Sequence, residues 1–259
     1  MCILFFAIKQ HPNYPLILCA NRDEFHQRAT EKMHFWTEPP ILAGKDLLAG
    51  GTWIGLTAAG RFSALTNFRR PHSNNDNKKS RGHLVIQALN TNLAQFPGEL
   101  AQQCDNYNGF NLVYGTLDNL HCFDSVNQRF HKITEGFHSI CNGALDDIWP
   151  KMALGRQKLA DTITKSATDN SPLEIEDLFN LMSNNEQADS NVLPNTGVGA
   201  EWEQFLSSIF IKSANYGTRS TTIIRQDLVG KVEIYERSFT PQAEIESNQY
   251  FELFCKKTT

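Results

Sequence analysis

Seven apolar residues, Cys2 to Ile8, run without a break up to Lys9-Gln10. A short continuous run bounded by polar residues predicts a strand buried on both faces. His11-Pro12-Asn13-Tyr14 reads as a turn and Pro15 to Ala20 as a second strand, so the chain opens with a hairpin. That strand runs into Asn21-Arg22-Asp23-Glu24, read as a charged cluster at a strand end. Residues 26–49 carry Pro39-Pro40 and no clear period, which predicts an irregular stretch. After Gly50-Gly51 a second hairpin is expected, with arms at 52–57 and 62–68 and Gly60 giving its turn the positive φ it needs. Residues 70–80 are polar and read as a loop.

Helical spacing follows. Ser80 is placed to cap a helix over 81–94, where Leu84, Ala88 and Leu89 share a face. Pro97 opens another helix to about Cys104. Strands are expected at 110–115 and 120–123, and Trp149-Pro150 starts a helix to about 165. Ser171-Pro172-Leu173-Glu174 has the form of a capping box ahead of an apolar face made by Ile175, Leu178, Phe179 and Met182. Residues 184–200 read as a long polar loop, and strands near 207–212, 219–226, 231–237 and 249–254 finish the chain. Strands, paired helices, strands, paired helices and strands again predict an α/β chain of the α+β kind. Its expected form is four αββα layers, with two largely antiparallel sheets face to face and helices outside. No repeat and no Gly-, Ser- or Pro-rich linker divides it, so residues 1–259 are read as a single domain.

Composition narrows the function classes. The chain is 41% hydrophobic and 20% charged, with a net charge of −4. Its longest basic stretch is Asn77-Lys78-Lys79-Ser80-Arg81, too small for a nucleic-acid footprint. The run from Cys2 to Ile8 is too short to span a bilayer and lacks signal-peptide features, so a cytoplasmic protein without stable membrane insertion is expected. The six cysteines form no C-x-x-C pair, so no metal site is expected, and in the cytoplasm they stay reduced. Gly50 and Gly55 have the spacing of a phosphate loop, but Leu56-Thr57 stands where that loop needs Lys-Ser/Thr, so no nucleotide motif is present.

Four features bear on chemistry. Removal of Met1 would leave Cys2 with a free α-amine, whose ordinary pKa of about 7.7–8.0 suits it as a base for its own thiol. Arg22 favours a thiolate nearby, and Asp23 is a candidate to orient the amine. Asn67 and Asn142, at strand ends, are candidate oxyanion donors. Arg219 enters an apolar strand and suits a carboxylate or an anionic ligand. Each feature also has a plain structural reading: a core thiol, a surface turn, turn asparagines and an internal ion pair.

Taken together, Cys2, Asn21-Arg22-Asp23-Glu24, Gly50-Gly51-Thr52-Trp53-Ile54-Gly55, Gly60-Arg61-Phe62, Leu65-Thr66-Asn67-Phe68-Arg69, Trp149-Pro150-Lys151 and Tyr216-Gly217-Thr218-Arg219-Ser220 resemble the NRDE family, which takes in the transport-and-Golgi-organisation proteins. The resemblance implies a fold like the N-terminal-nucleophile hydrolases. It carries Cys2, Arg22, Asn67, Asn142 and Arg219 over as counterparts of a cysteine hydrolase's catalytic set. Asp23 follows Arg22 at once, where those hydrolases space the pair as R-x-x-D. The resemblance also implies intracellular haem trafficking, with haem as ligand and Cys2, Arg22 and Arg219 as candidate contacts. Two functions therefore stand side by side: a haem-handling protein, and a Cys2-dependent amidohydrolase or acyltransferase acting on a small amide or thioester. In either case the partner is a small molecule.

Overall fold

In the computed structural model, which describes residues 2–169 and 171–255, the opening apolar run is β1 (Cys2–Ile8). β2 (Leu16–Phe25) follows, then β3 (Thr30–Phe35), β4 (Leu42–Asp46), β5 (Ile54–Leu56) and β6 (Arg61–Asn67). Next come α1 (Gly82–Asn90), α2 (Phe96–Gln103), β7 (Phe110–Thr116), β8 (Asn119–Asp124), β9 (Arg129–Lys132) and β10 (Gly136–Ile140). The chain continues through α3 (Pro150–Thr168), α4 (Ile175–Met182), α5 (Ala200–Phe205), β11 (Tyr216–Gln226), β12 (Lys231–Phe239) and β13 (Ile245–Phe254). The class is α+β, with two antiparallel sheets and helices. Among the described residues no helix is long and apolar enough to cross a membrane. The expected removal of Met1 concerns a residue outside the described ones.

The chain groups into two compact units, one of residues 1–27 and 134–253, the other of 28–133 and 254–259. The first unit holds a six-stranded sheet in the order β10-β1-β2-β11-β12-β13. β1 and β2 form the expected hairpin, and β11 pairs along the other edge of β2. One face carries Ile3, Phe5 and Ala7 of β1, Ile17 and Cys19 of β2 and Ile223 of β11. Met152, Leu159 and Ile163 of α3 and Leu178, Phe179 and Met182 of α4 cover that face. α3 lies so close that a β-carbon on Gly155 would come within 2.0 Å of the Phe5 ring. Glycine there exchanges helix propensity for an approach no other residue permits.

The second unit is a seven-stranded meander, β3 to β9 in sequence order. Gly60 holds a φ of +79° in the β5–β6 turn, as that turn requires. Leu84, Val85, Ala88 and Leu89 of α1 pack with Leu65, Leu112 and Tyr114 of the sheet.

Several local expectations are corrected. β2 does not stop at Ala20 but runs on to Phe25, taking the Asn21-Arg22-Asp23-Glu24 cluster into the sheet, because partners distant in sequence satisfy its polar groups. Residues 30–46, expected irregular, hold β3 and β4. β9 and β10 are additional short strands, whose mixed polar and apolar residues gave no alternation to read. Ser80 makes no cap for α1, whose N-cap is Arg81. The Ser171 box does not close: α4 starts at Ile175 after Glu174, with no side-chain cap. No strand forms at 207–212; turns and bends after α5 carry that apolar run, with Ile209 and Ile211 buried.

Candidate functional site

In the antiparallel register of β1 and β2, Cys2 sits directly opposite Arg22, so their side chains share a face. Across the other edge of β2, Arg22 is opposite Ser220. Arg22 is buried, with its Nη2 4.0 Å from Glu24 Oε2. Cys2 keeps some accessible surface, yet its surroundings are dense enough to push its thiol up to about 11. Burial is the chief cause and Asp23 adds to it, while the Arg22 guanidinium pulls the other way. The balance of these effects disfavours the thiolate.

Strand alternation sends Asn21 and Asp23 to the opposite, helix-covered face. Asn21 is structural. Its amide nitrogen donates to the carbonyls of Met182 (2.9 Å) and Ile209 (3.0 Å), and its oxygen accepts from Thr221 Oγ1 at 2.6 Å. Asp23 Oδ1 accepts from Thr218 Oγ1 at 2.7 Å, and that hydroxyl in turn accepts from the Ile211 amide at 2.9 Å. Burial raises the Asp23 pKa, and the Lys151 ammonium and the Thr218 bond offset part of that rise. Asp23, a candidate for orienting an amine at Cys2, thus lies on the far face from the Cys2–Arg22 pair.

β1 pairs on its outer edge with β10, Leu4 opposite Ile140. Asn142 lies two residues beyond the end of β10, in the turns that lead to α3. Asn142 is fully buried, and its oxygen accepts from the Cys141 thiol at 3.1 Å. Arg219 occupies the bulge between Thr218 and Ser220, where its Nη1 donates to the carbonyls of Phe25 (3.2 Å) and His26 (3.1 Å). Asn67 belongs to the other unit, at the end of β6 opposite Phe110.

The structure thus brings Cys2 and Arg22 face to face, bonds Asp23 to Thr218 while its charge acts on Cys2, and sets Arg219 Nη1 on the carbonyls of Phe25 and His26. Two residues were missed. Lys151, in the first turn of α3, is buried and acts on Asp23. A lysine on the apolar side of a helix was the available signal. Thr218, which holds Asp23, gave no local sign.

The chain matches the family model described as Transport and Golgi organisation 2 over residues 1–241. It is 31% identical to the Transport and Golgi organization 2 homolog of Mus musculus, over 92% of this chain and 93% of the relative. It is 32% identical to the Transport and Golgi organization protein 2 homolog of Homo sapiens, with the same coverage of both chains. Among solved structures it is similar to the C2A mutant of conjugated bile acid hydrolase from Clostridium perfringens. There the identity is 11% and the TM-score 0.48, with 100% of this chain and 94% of the other covered.

Proposed function

The chain belongs to the Transport and Golgi organisation 2 family, and on that premise we propose that it is a cytoplasmic haem-handling protein rather than a working hydrolase. The observation that carries this reading is the state of Cys2. Burial pushes its thiol up to about 11, which disfavours the thiolate, while Arg22 stands opposite it as a buried cation. A porphyrin cargo bears carboxylates and a metal. Arg22 suits a propionate through charge-assisted hydrogen bonds, and the Cys2 sulfur suits the iron. Arg219 suits the cargo less, because its Nη1 is spent on the carbonyls of Phe25 and His26. Haem brings an iron that competes with the proton for the sulfur.

Titration with haem tests the reading. A saturable Soret shift near one equivalent is expected, weakened about tenfold or more in Arg22→Gln and spectrally altered in Cys2→Ser. Featureless absorbance that albumin reproduces, untouched by either substitution, sinks it.

One observation favours a second reading, a thiol amidohydrolase or acyltransferase on a small amide or thioester. Cys2 and Arg22 stand directly opposite each other, which sets a cation beside the candidate nucleophile. That reading expects an acyl adduct on Cys2 after incubation with a thioester, seen by intact mass and absent in Cys2→Ala. Turnover that survives Cys2→Ala ends it.

A further inference from the structure

At the far end of the β2–β11 pair, Phe25 and Tyr216 stand opposite each other, their ring centroids 5.1 Å apart at 77°. α5 brings two more rings. Trp202 and Phe205 meet at 5.4 Å and 83°, Trp202 meets Tyr216 at 6.5 Å and 75°, and Phe205 meets Tyr216 at 6.2 Å and 64°. Every one of these contacts is edge-on. The rings therefore stand as walls about a cleft of about 370 Å³, and Glu201, Ser213 and Asn215 complete its lining. Trp202 and Phe25 are nearly half exposed, at 46% and 45%, so the cleft opens to solvent.

We propose that this cleft binds an organic cation with a quaternary or tertiary ammonium head. Aromatic faces carry the negative side of the ring quadrupole and attract a cation within about 6 Å. Among the lining residues the one charged side chain is the Glu201 carboxylate. The carboxylates of Asp23 and Glu24 also act on the Tyr216 phenol behind the cleft. The neighbouring cation, Arg219, donates from Nη1 to the backbone carbonyls of Phe25 and His26. A methylated ammonium is weakly hydrated and gives up little on entering an apolar cage, whereas a bare ammonium keeps its water. The inference is independent of the Cys2–Arg22 reading.

The test titrates the full chain with choline and, separately, with 3,3-dimethylbutan-1-ol, its neutral isostere. Intrinsic tryptophan fluorescence follows the binding, and Trp202→Phe assigns the signal. Choline is expected to give a saturable change that Trp202→Phe removes, and to bind about tenfold or more tighter than the isostere. Glu201→Gln is expected to weaken choline several-fold and leave the isostere unchanged. Glu201 and Trp202 are exposed, so both variants fold. Equal affinity for the two probes, no saturable response to choline, or unchanged choline affinity in Glu201→Gln would each overturn the proposal.

Discussion

Asn21 stands next to the candidate Arg22 in the sequence and is architecture in the structure. Its three bonds tie β2 to the end of α4, to the turn at Ile209 and to β11. Asn21→Ala leaves two carbonyls and a hydroxyl without their partner in a buried place. The expected loss is about 3 kcal/mol, from summing the cost of unsatisfied buried groups, and urea unfolding measures it. A loss under about 1 kcal/mol would show that water replaces the amide. Cys2, beside it in β1, makes a kinetic prediction. With its thiol pushed up to about 11, alkylation by iodoacetamide is expected to be slow at pH 7 and to climb steadily above pH 9. Peptide mapping over a pH series reads this out. Fast labelling with an inflexion below pH 8 would mean an activated thiolate and would favour the hydrolase reading.

The link from β10 to α3 is held by one acid. Asp146 sits in the left-handed region at φ +60°. It accepts from His138 Nδ1 at 2.7 Å, from the Ser139 amide at 2.8 Å and from Arg156 Nη1 at 3.2 Å. This clamp closes the loop that carries Asn142. The Asp146 hydrogen bond raises the His138 pKa above its ordinary 6.5, while burial opposes it. For Asp146, burial raises the pKa, but the bonds from His138 and Ser139 and the Arg156 charge outweigh it, and the net direction is down from 3.8. A raised histidine contributes its stability in full below about pH 6.5 and loses it as pH climbs through the folded value. A lowered aspartate contributes above about pH 4 and loses it on acidification. The clamp is therefore strongest between about pH 4 and pH 6.5. His138→Gln is expected to lower Tm more at pH 5.5 than at pH 8.5, by calorimetry. An equal loss at both values would mean that the bond works without the imidazolium charge.

On the scale of the molecule, the first unit is assembled from segments that the second unit separates. β1 and β2 lie in the middle of its sheet, and they supply Ile3, Phe5, Ala7, Ile17 and Cys19 to its core. A fragment of residues 134–253 alone leaves β10 without β1 and β11 without β2, and is expected to show no cooperative thermal transition. Residues 28–133 are continuous, and every sheet neighbour there is next in sequence, so this fragment is expected to fold and give dispersed amide resonances. Cooperative melting of 134–253 would show that α3, α4 and the late strands suffice for a core.

The same contrast separates what the sequence determined from what the tertiary structure decided. β1, the Gly60 turn, α1, the Pro150 start of α3 and the late strands were legible because their signals are local: apolar period, turn residues and helix-opening prolines. The resemblance named Cys2 and Arg22 as candidates, and register explains their meeting, since a hairpin pairs its residues by counting back from the turn. The burial of Asn21, Arg22 and Asp23 was not legible. The groups that make the burial of Asn21 and Asp23 tolerable are Met182, Ile209, Thr218 and Thr221, between 161 and 200 residues away. Nor was the face on which Asp23 lies, because one residue of alternation separates it from Arg22 and the strand was expected to end before both. The apolar run at 207–212 had strand composition, yet its backbone groups bond to Asn21, Asn184 and Thr218 and make turns instead. Local pattern sets which segments are strands and helices. Where a polar group can be buried depends on partners that only the folded chain brings within hydrogen-bond distance.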